Sequence, residues 1–296
     1  MFYPHIASRA FHRPLLLEPR SGLAFLTTLA GLLARSSVLE DRSPMLAMDD
    51  DDGPRDRIAS LPFGLERWER DKAFPAVKNV ALIEVDGTLV NKNGTLGPYC
   101  GMTGYDGIRT QIAAALADAE IDGIALYIDS PGGEVAGCFD LADFVFASRG
   151  DKPILAIVDG MACSAAYALA VACDRITASS VGLVGSIGVI VAHADWSKAL
   201  ETQGIDVSLI FSGKHKADGN PFEPLPPTVR KTIQAEIDLV WDQFLAQVAR
   251  GRGLELAKVK ATEADTYLAA DAERRGLIDA VMAPADALLG FINLLS

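Results

Sequence analysis

Several residue types and patterns that commonly mark enzymes are scarce or missing in this sequence. There are four histidines, His5, His12, His193 and His215, and no G-x-S-x-G serine elbow. There are four cysteines, Cys100, Cys138, Cys163 and Cys173, none of them at C-x-x-C spacing. Each sits among small apolar residues, which reads as free thiols in a reducing compartment rather than a disulfide or zinc framework. Positive charge is also short: 27 Lys and Arg stand against 39 Asp and Glu, a net charge of −12. That balance argues against a nucleic-acid footprint or attraction to anionic membranes and points to protein partners. No apolar run reaches the ~20 residues that cross a bilayer. GLAFLTTLAGLLA, residues 22–34, spans thirteen. With Pro4, Pro14, Glu18 and Pro19 ahead of it, the stretch makes a poor signal peptide and reads as an amphipathic helix that docks on the body or on a partner.

What is present is a composition of 50% hydrophobic and 22% charged residues over 296 positions, enough for a substantial core. Residues 1–40 read as an arm and 41–74 as an acidic, polar linker. In that linker Asp49 to Asp52 repel one another and stay solvated, so they read as an exposed turn rather than a metal site. From Val77 the texture changes. KNVALIEVDG and DGIALYIDS are expected strands flanking a helix over YDGIRTQIAAALADA, whose Ile108, Ile112 and Leu116 recur every fourth residue. Further on come a helix over Glu134 to Ala147, strand PILAIV, a helix near Ser164, strand DRITA, GSIGVIVAH, helix ADWSKALETQG and strand VSLIFSG. Such βα alternation predicts an α/β domain over 75–285, a mainly parallel sheet covered by helices. Val229, Ile233, Ile237, Val240, Phe244 and Val248 give residues 226–250 one apolar stripe on a long helix. After Gly276 the pattern turns to a strand, and 286–296 reads as a tail.

Three stretches carry chemistry. SPGG at 130–133 falls between an expected strand and helix, where glycines let backbone N–H groups face an anion. By itself it is equally a tight turn. DGMACSAAYALA places Ser164 at a strand-to-helix junction among alanines. There it serves as a helix cap, or as a nucleophile whose oxyanion the Ala165 N–H receives while small neighbours admit a peptide backbone. Histidine is a poor candidate base, since His5 and His12 lie in the arm and His193 follows a strand. SGKHKADGNPF offers Lys214 and Lys216 instead. A lysine base must be desolvated, because its free pKa of ~10.4 leaves it protonated, and lowering that by ~3 units costs about 4 kcal/mol. Ser186 in VGSIG is a candidate hydroxyl to hold the neutral amine. Cys163 is a competing nucleophile, but its place one residue before Ser164 turns it towards the core.

The ordered set SPGG, GMACSAAY, DRITA, VGSIGVI and SGKHK, over residues 126–216, resembles the signal-peptide-peptidase-A-like serine peptidases. HIASRAFHRPLLLEP, DDDDGPR, PYCGMTGYDGI and SGKHKADGNPFEPLP are similar to the phage capsid-assembly branch of that family. The resemblance implies a ClpP/crotonase-like fold and a Ser-Lys dyad. Lys216, 52 residues after Ser164, is implied as the general base rather than Lys214, with Ser186 supporting it. Gly132, Gly133 and the Ala165 amide are implied as the oxyanion hole. Where bacterial members commonly place glycine after the nucleophile, this sequence has Ala165, as phage members do. The resemblance further implies no cofactor and no metal, and a homo-oligomer. Its partners and substrates would be phage scaffold, portal and capsid proteins, or its own sequences, inside the prohead in the bacterial cytoplasm. A scaffolding role is not expected, since the chain reaches only Ser296 without the branch's long C-terminal extension. Two other functions compete: a crotonase-type acyl-CoA enzyme, which needs acid/base groups over a thioester, and a structural prohead component with an inactive dyad.

Overall fold

The computed structural model describes residues 14–18, 72–98 and 101–296. The expected helix at 22–34, the Asp49 to Asp52 run and Cys100 lie outside the described residues.

The sheet is built from strands β1 (Leu15–Leu17), β2 (Ala76–Val77), β3 (Val80–Val90) and β4 (Met102–Gly104), helix α1 (Tyr105–Ala117) following β4. Next come β5 (Gly123–Glu134), α2 (Cys138–Ala147), β6 (Ile154–Cys163), α3 (Ala165–Ala170), β7 (Arg175–Ala178) and β8 (Leu183–Gly185). The chain then runs through α4 (Ser197–Thr202), α5 (Pro227–Arg252), α6 (Leu256–Lys260) and β9 (Thr266–Leu268). It closes with α7 (Ala269–Arg274), β10 (Ala280–Val281) and α8 (Pro284–Leu295). Strand order is β10-β7-β6-β5-β3-β2, parallel throughout except for β2 on β3.

The central strands are buried on both faces, and this is why they read as unbroken apolar runs. Period-two alternation still sorts their side chains. Ile83, Val85, Leu126, Ile128, Ala156 and Val158 enter the larger core with Ile108, Ile112, Tyr167 and Phe244. Val80, Leu82, Ala125, Leu155 and Ile157 face the opposite way onto Ala287, Leu288, Phe291 and Ile292. Residues 286–296, expected as a tail, therefore lie in a helix capped by Ser296 that roofs the second face of the sheet. Its sequence, PADALLGFINLL, starts with a proline at the first helical position and carries its own apolar stripe. Each large side chain buried there contributes roughly 1.5–3 kcal/mol.

The feature that makes a site is where the strands change neighbours. Register slips between Asp86 and Thr88 on β3, and between Ile128 and Ser130 on β5. Beyond these bulges the strand ends bend and acquire new partners, β4 on β3, β1 on β5 and β8 on β6. Gly87, at φ +66°, makes the first bend possible, because a Cβ there would lie 2.3 Å from the Gly101 carbonyl oxygen. SPGG is consequently not a turn: it continues β5, paired with Thr88 and Leu89 on one side and with β1 on the other.

Two further expectations differ. VSLIFSG forms no strand, and among the described residues no ladder partner reaches 205–211. Ile205, Val207, Leu209, Ile210 and Phe211 stand exposed, Ile210 at 99%. The stripe on α5 is buried only in its C-terminal half, where Phe244, Leu245 and Val248 pack into the core. Val229, Ile233 and Ile237 are half-buried and Leu239 is exposed. Periodicity marked the apolar face correctly, but not how much of it the single chain covers.

Candidate active site

Strand β6 delivers the serine. Ser164 follows its last residue at φ +57° and ψ −117°, a strained backbone for a residue with a Cβ. The surrounding hydrogen bonds hold it there: its N–H donates to the Gly185 carbonyl at 2.8 Å, and its carbonyl accepts from Ala168 N–H at 3.0 Å. Its hydroxyl makes no capping bond to α3; Oγ lies 3.5 Å from the Gly188 carbonyl oxygen. A cap would leave the backbone relaxed and engage the hydroxyl with an N–H of the helix, and neither holds.

The β6 and β8 pairing, with Cys163 opposite Gly185, brings the GSIG segment to this serine. Ser186 is buried at φ +54°, its N–H donating to the Asp265 carbonyl at 2.8 Å. Its carbonyl accepts from Gly188 N–H at 2.9 Å, so the turn that presents Gly188 to Ser164 is itself fixed.

The glycine pair comes from β5. A Cβ on Gly132, at φ +104°, would lie 2.9 Å from the Cys163 carbonyl oxygen and 3.0 Å from Ala165 N. Gly133 has no room at all, with a Cβ position 1.8 Å from the Leu89 carbonyl oxygen. The two glycines are thus the condition for three backbones to meet beside Ser164. The N–H of Gly132 donates to Ser130 Oγ at 3.1 Å, and that hydroxyl donates to the Gly87 carbonyl at 2.6 Å. Gly132 therefore supplies clearance while its own amide is engaged elsewhere.

Ser164, Ser186, Gly132, Gly133 and Ala165 converge in this corner; Lys216 does not join them. It is exposed in the turn after Gly213, its backbone N–H donating to that carbonyl at 3.0 Å. Among the described residues its side chain makes no hydrogen bond or ion pair. Lys214 is exposed as well, and His215 Nδ1 lies 2.7 Å from Asp218 Oδ2, also in solvent. His193 Nε2 lies 3.2 Å from the Asn220 carbonyl oxygen. A base must be desolvated beside the hydroxyl it serves, and in the single chain the Lys216 side chain is exposed.

Cys163 is set apart from the site despite its position. Burial, with the Glu18 carboxylate adding to it, pushes its thiol up to about 12. Its sulfur faces the Leu183 carbonyl at 3.9 Å. Burial raises Cys138 and Cys173 as well, and all three are free buried thiols. Sequence reasoning passed over Gly188, which shares a motif with Ser186, and Ile190 and Leu15–Leu17, whose place near the site depends on a pairing between distant segments.

A parallel sheet whose strand ends bend to surround a serine at a strand-to-helix junction defines the ClpP-like α/β fold, and the sequence profile for Clp protease matches residues 96–194. The profile for peptidase family S49 matches residues 147–291, and the chain belongs to that family of SppA-like serine peptidases. It is 39% identical to capsid assembly protease C of Escherichia phage lambda over 296 residues, covering 96% of this chain and 64% of the phage protein. It is 38% identical to the head-tail preconnector protein GP5 of Enterobacteria phage P21, covering 96% of this chain and 56% of that one. Protease 4 of Haemophilus influenzae is 26% identical over 76% of this chain and 35% of its own length. The chain thus spans less than two thirds of these relatives. Among solved structures, a mutant ClpP1 from Listeria monocytogenes covers 70% of this chain and 94% of its own at 11% identity and a TM-score of 0.44. Among the described residues no helix is long and apolar enough to cross a membrane.

Proposed function

We propose that this chain is a Ser-Lys endopeptidase that acts in phage head assembly. The observation that carries the reading is Ser164 itself, held in a strained conformation, free of any capping duty, and flanked by glycines whose lack of a Cβ lets backbones approach. In the reaction, neutral Lys216 takes the Ser164 hydroxyl proton as Oγ attacks the substrate carbonyl. Ser186 fixes the amine, and the N–H groups of Ala165 and Gly133 receive the oxyanion. Collapse of the tetrahedral intermediate passes the proton to the leaving amine and leaves an acyl-serine. Water, deprotonated by the same lysine, then releases the acid and restores the hydroxyl.

For this to occur Lys216 must leave water. It lies on the same stretch as the uncovered Ile205, Val207, Leu209, Ile210 and Phe211, so whatever covers those side chains also desolvates the base. The homo-oligomer expected for the family supplies such cover, and the pairing of nucleophile and base is then a property of the assembled enzyme. Scaffold, portal and capsid proteins of the prohead are the proposed substrates and neighbours. The names of the two phage relatives, a capsid assembly protease and a head-tail preconnector, support that setting.

The exposure of Lys216 also favours a second reading, a structural head component that never completes its dyad. Co-expression with neighbouring scaffold and portal proteins separates the two. Wild type should cut at least one of them, while Ser164→Ala and Lys216→Ala should cut none. Cleavage that persists in Ser164→Ala would refute the peptidase assignment. Absence of cleavage in every arm, with assembled heads still formed, would establish the structural reading.

A further inference from the structure

Strand β1 belongs to the arm, yet it lies across the candidate site. Leu17, Leu16 and Leu15 pair antiparallel with Gly132, Gly133 and Glu134, the end of β5 that carries the glycine pair. On its other edge Leu15 exchanges both backbone hydrogen bonds with Ile190, donating at 2.8 Å and accepting at 3.0 Å. Past the strand, Glu18 N–H donates to the Pro131 carbonyl at 2.8 Å. The leucines therefore lie between the end of β5 and the Gly188–Ile190 segment, both of which flank Ser164. The contact with the glycine pair is close: a methyl on Gly132 would meet the Leu16 carbonyl oxygen at 2.2 Å, and Ala165 N at 3.0 Å. The Leu16 carbonyl thus points at the corner where a peptidase holds a carbonyl. All three leucines are buried, and Leu17 lines a cavity of 260 Å³ together with Ser186, Gly188, Ile190 and Trp241.

We infer that the groove between Gly132–Glu134 and Ile190 is a peptide-binding site for extended aliphatic segments, and that residues 14–18 of the same chain occupy it as an intramolecular peptide ligand. The inference rests on the peptidase reading for its catalytic meaning, though not for its binding. Adding a strand between two edges satisfies backbone groups whatever the peptide sequence, while the enclosed side chains set the preference. Here the preference is for consecutive leucine-like residues, since all three leucines are buried where they pair. A foreign segment enters only when the arm leaves, so the arm also limits access to Ser164.

The test uses the full chain carrying Ser164→Ala, so that nothing is turned over, and a fluorescein-labelled peptide of residues 12–20. Leu16→Asp places a charge at a fully buried position and should release the arm; the peptide is then expected to bind at least tenfold more tightly than to the parent with Leu16 intact. Equal affinity, or no binding to either protein, would overturn the inference. Should Leu16→Asp fail to fold, the pair Leu15→Cys and Ile190→Cys keeps the question open to measurement. Oxidised, the tethered arm should exclude the peptide; reduced, binding should rise at least tenfold, and a redox-independent affinity overturns the inference. Because both assays run without the nucleophile, a failed cleavage experiment and a failed binding experiment point to different errors.

Discussion

The corner formed by β5, β6 and β8 and the stretch from 192 to 226 each carry part of one proposed site, and they are built in opposite ways. In the corner every backbone is held. Ser164 is tied to Gly185 and Ser186 to Asp265, and the approach of Gly133 to Leu89 leaves no space for a methyl group. Residues 201–216, by contrast, are almost wholly exposed, with apolar side chains facing water and Lys216 among them. On the proposed reading, the nucleophile is preorganised by the fold of one chain, whereas the base waits on something beyond it. If the proposed dyad holds, an enzyme divided in this way would be inert when dilute and competent where copies are concentrated.

The largest expected effects fall on activity, and they break the comparison if they fail. Ser164→Ala should lower cleavage by on the order of 10⁶-fold, as loss of a nucleophile does elsewhere. Lys216→Ala should cost about 10²–10⁴-fold, the usual worth of a general base. The contrast lies in stability: since Lys216 is exposed and unpaired among the described residues, its replacement should move the unfolding midpoint by no more than a surface substitution does, ~0.5 kcal/mol. A large loss of stability in Lys216→Ala, read by urea unfolding, would mean that the base is built into the fold after all.

The corner should respond in the reverse manner. Gly133→Ala drives a Cβ into the Leu89 carbonyl, a backbone atom at the end of the β3 and β5 ladder, where β3 also pairs with β4 and cannot swing aside. We expect a loss of about 3 kcal/mol, measured by urea unfolding, with activity falling because the oxyanion corner is displaced. The same substitution at Gly94, where φ is +73° but a Cβ meets nothing, carries a backbone cost without a clash and should cost much less.

How far the sequence disclosed these two regions follows from how local their determinants are. Strands β3, β5, β6 and β7 and helices α1, α2 and α5 were readable because each has a self-contained apolar pattern. The elbow at Ser164 was readable because an isolated serine among alanines sits where a strand pattern stops. The continuation of β5 through SPGG was not, since Pro and paired Gly signal a turn locally, and only the bulge at Asp129 and the neighbours β1 and β3 make them strand. VSLIFSG shows the converse error: alternation predicts a strand, but a strand exists only with an edge to pair with, and the described residues offer none. Residues 284–295 read as a tail from 286 on because an end with an apolar stripe looks the same whether it is free or docked until its target face, Val80, Leu82, Ala125 and Leu155, is known.

A pH-dependent contact lies outside both regions and calibrates them. Asp279 accepts two hydrogen bonds from Arg252, at 3.0 and 2.8 Å, and one from Ile176 N–H at 2.7 Å, tying α5 to the strand edge at β7. Burial alone would raise this carboxyl, but the Arg252 and Ile176 hydrogen bonds, with the charges of Arg252 and Arg175, outweigh it and hold it below the ordinary carboxylate range. A depressed carboxyl contributes stability that is complete above its unfolded-state value and is lost as pH falls through the folded-state one. Asp279→Asn should therefore cost roughly 2 kcal/mol at neutral pH, the gap to wild type closing below about pH 4. Equal gaps at neutral and acid pH in urea titrations would place the loss in packing rather than charge.

The smallest effect on the folded chain belongs to Phe211→Asp, and it is the sharpest probe of the comparison. Phe211 is half-exposed and packs into neither core, so the isolated chain should lose or gain no more than ~0.5 kcal/mol. If the 205–211 stretch is covered on association, a carboxylate there meets an apolar surface without a partner, and the assembly should weaken far more than the chain does. Sedimentation across a concentration series should show the wild type associating and Phe211→Asp remaining smaller. Cleavage should fall in step with the lost oligomer and recover at higher protein concentration. Activity that stays independent of both concentration and Phe211→Asp would show that Lys216 reaches Ser164 within one chain, and the division between the two regions would then be a property of the resting enzyme alone.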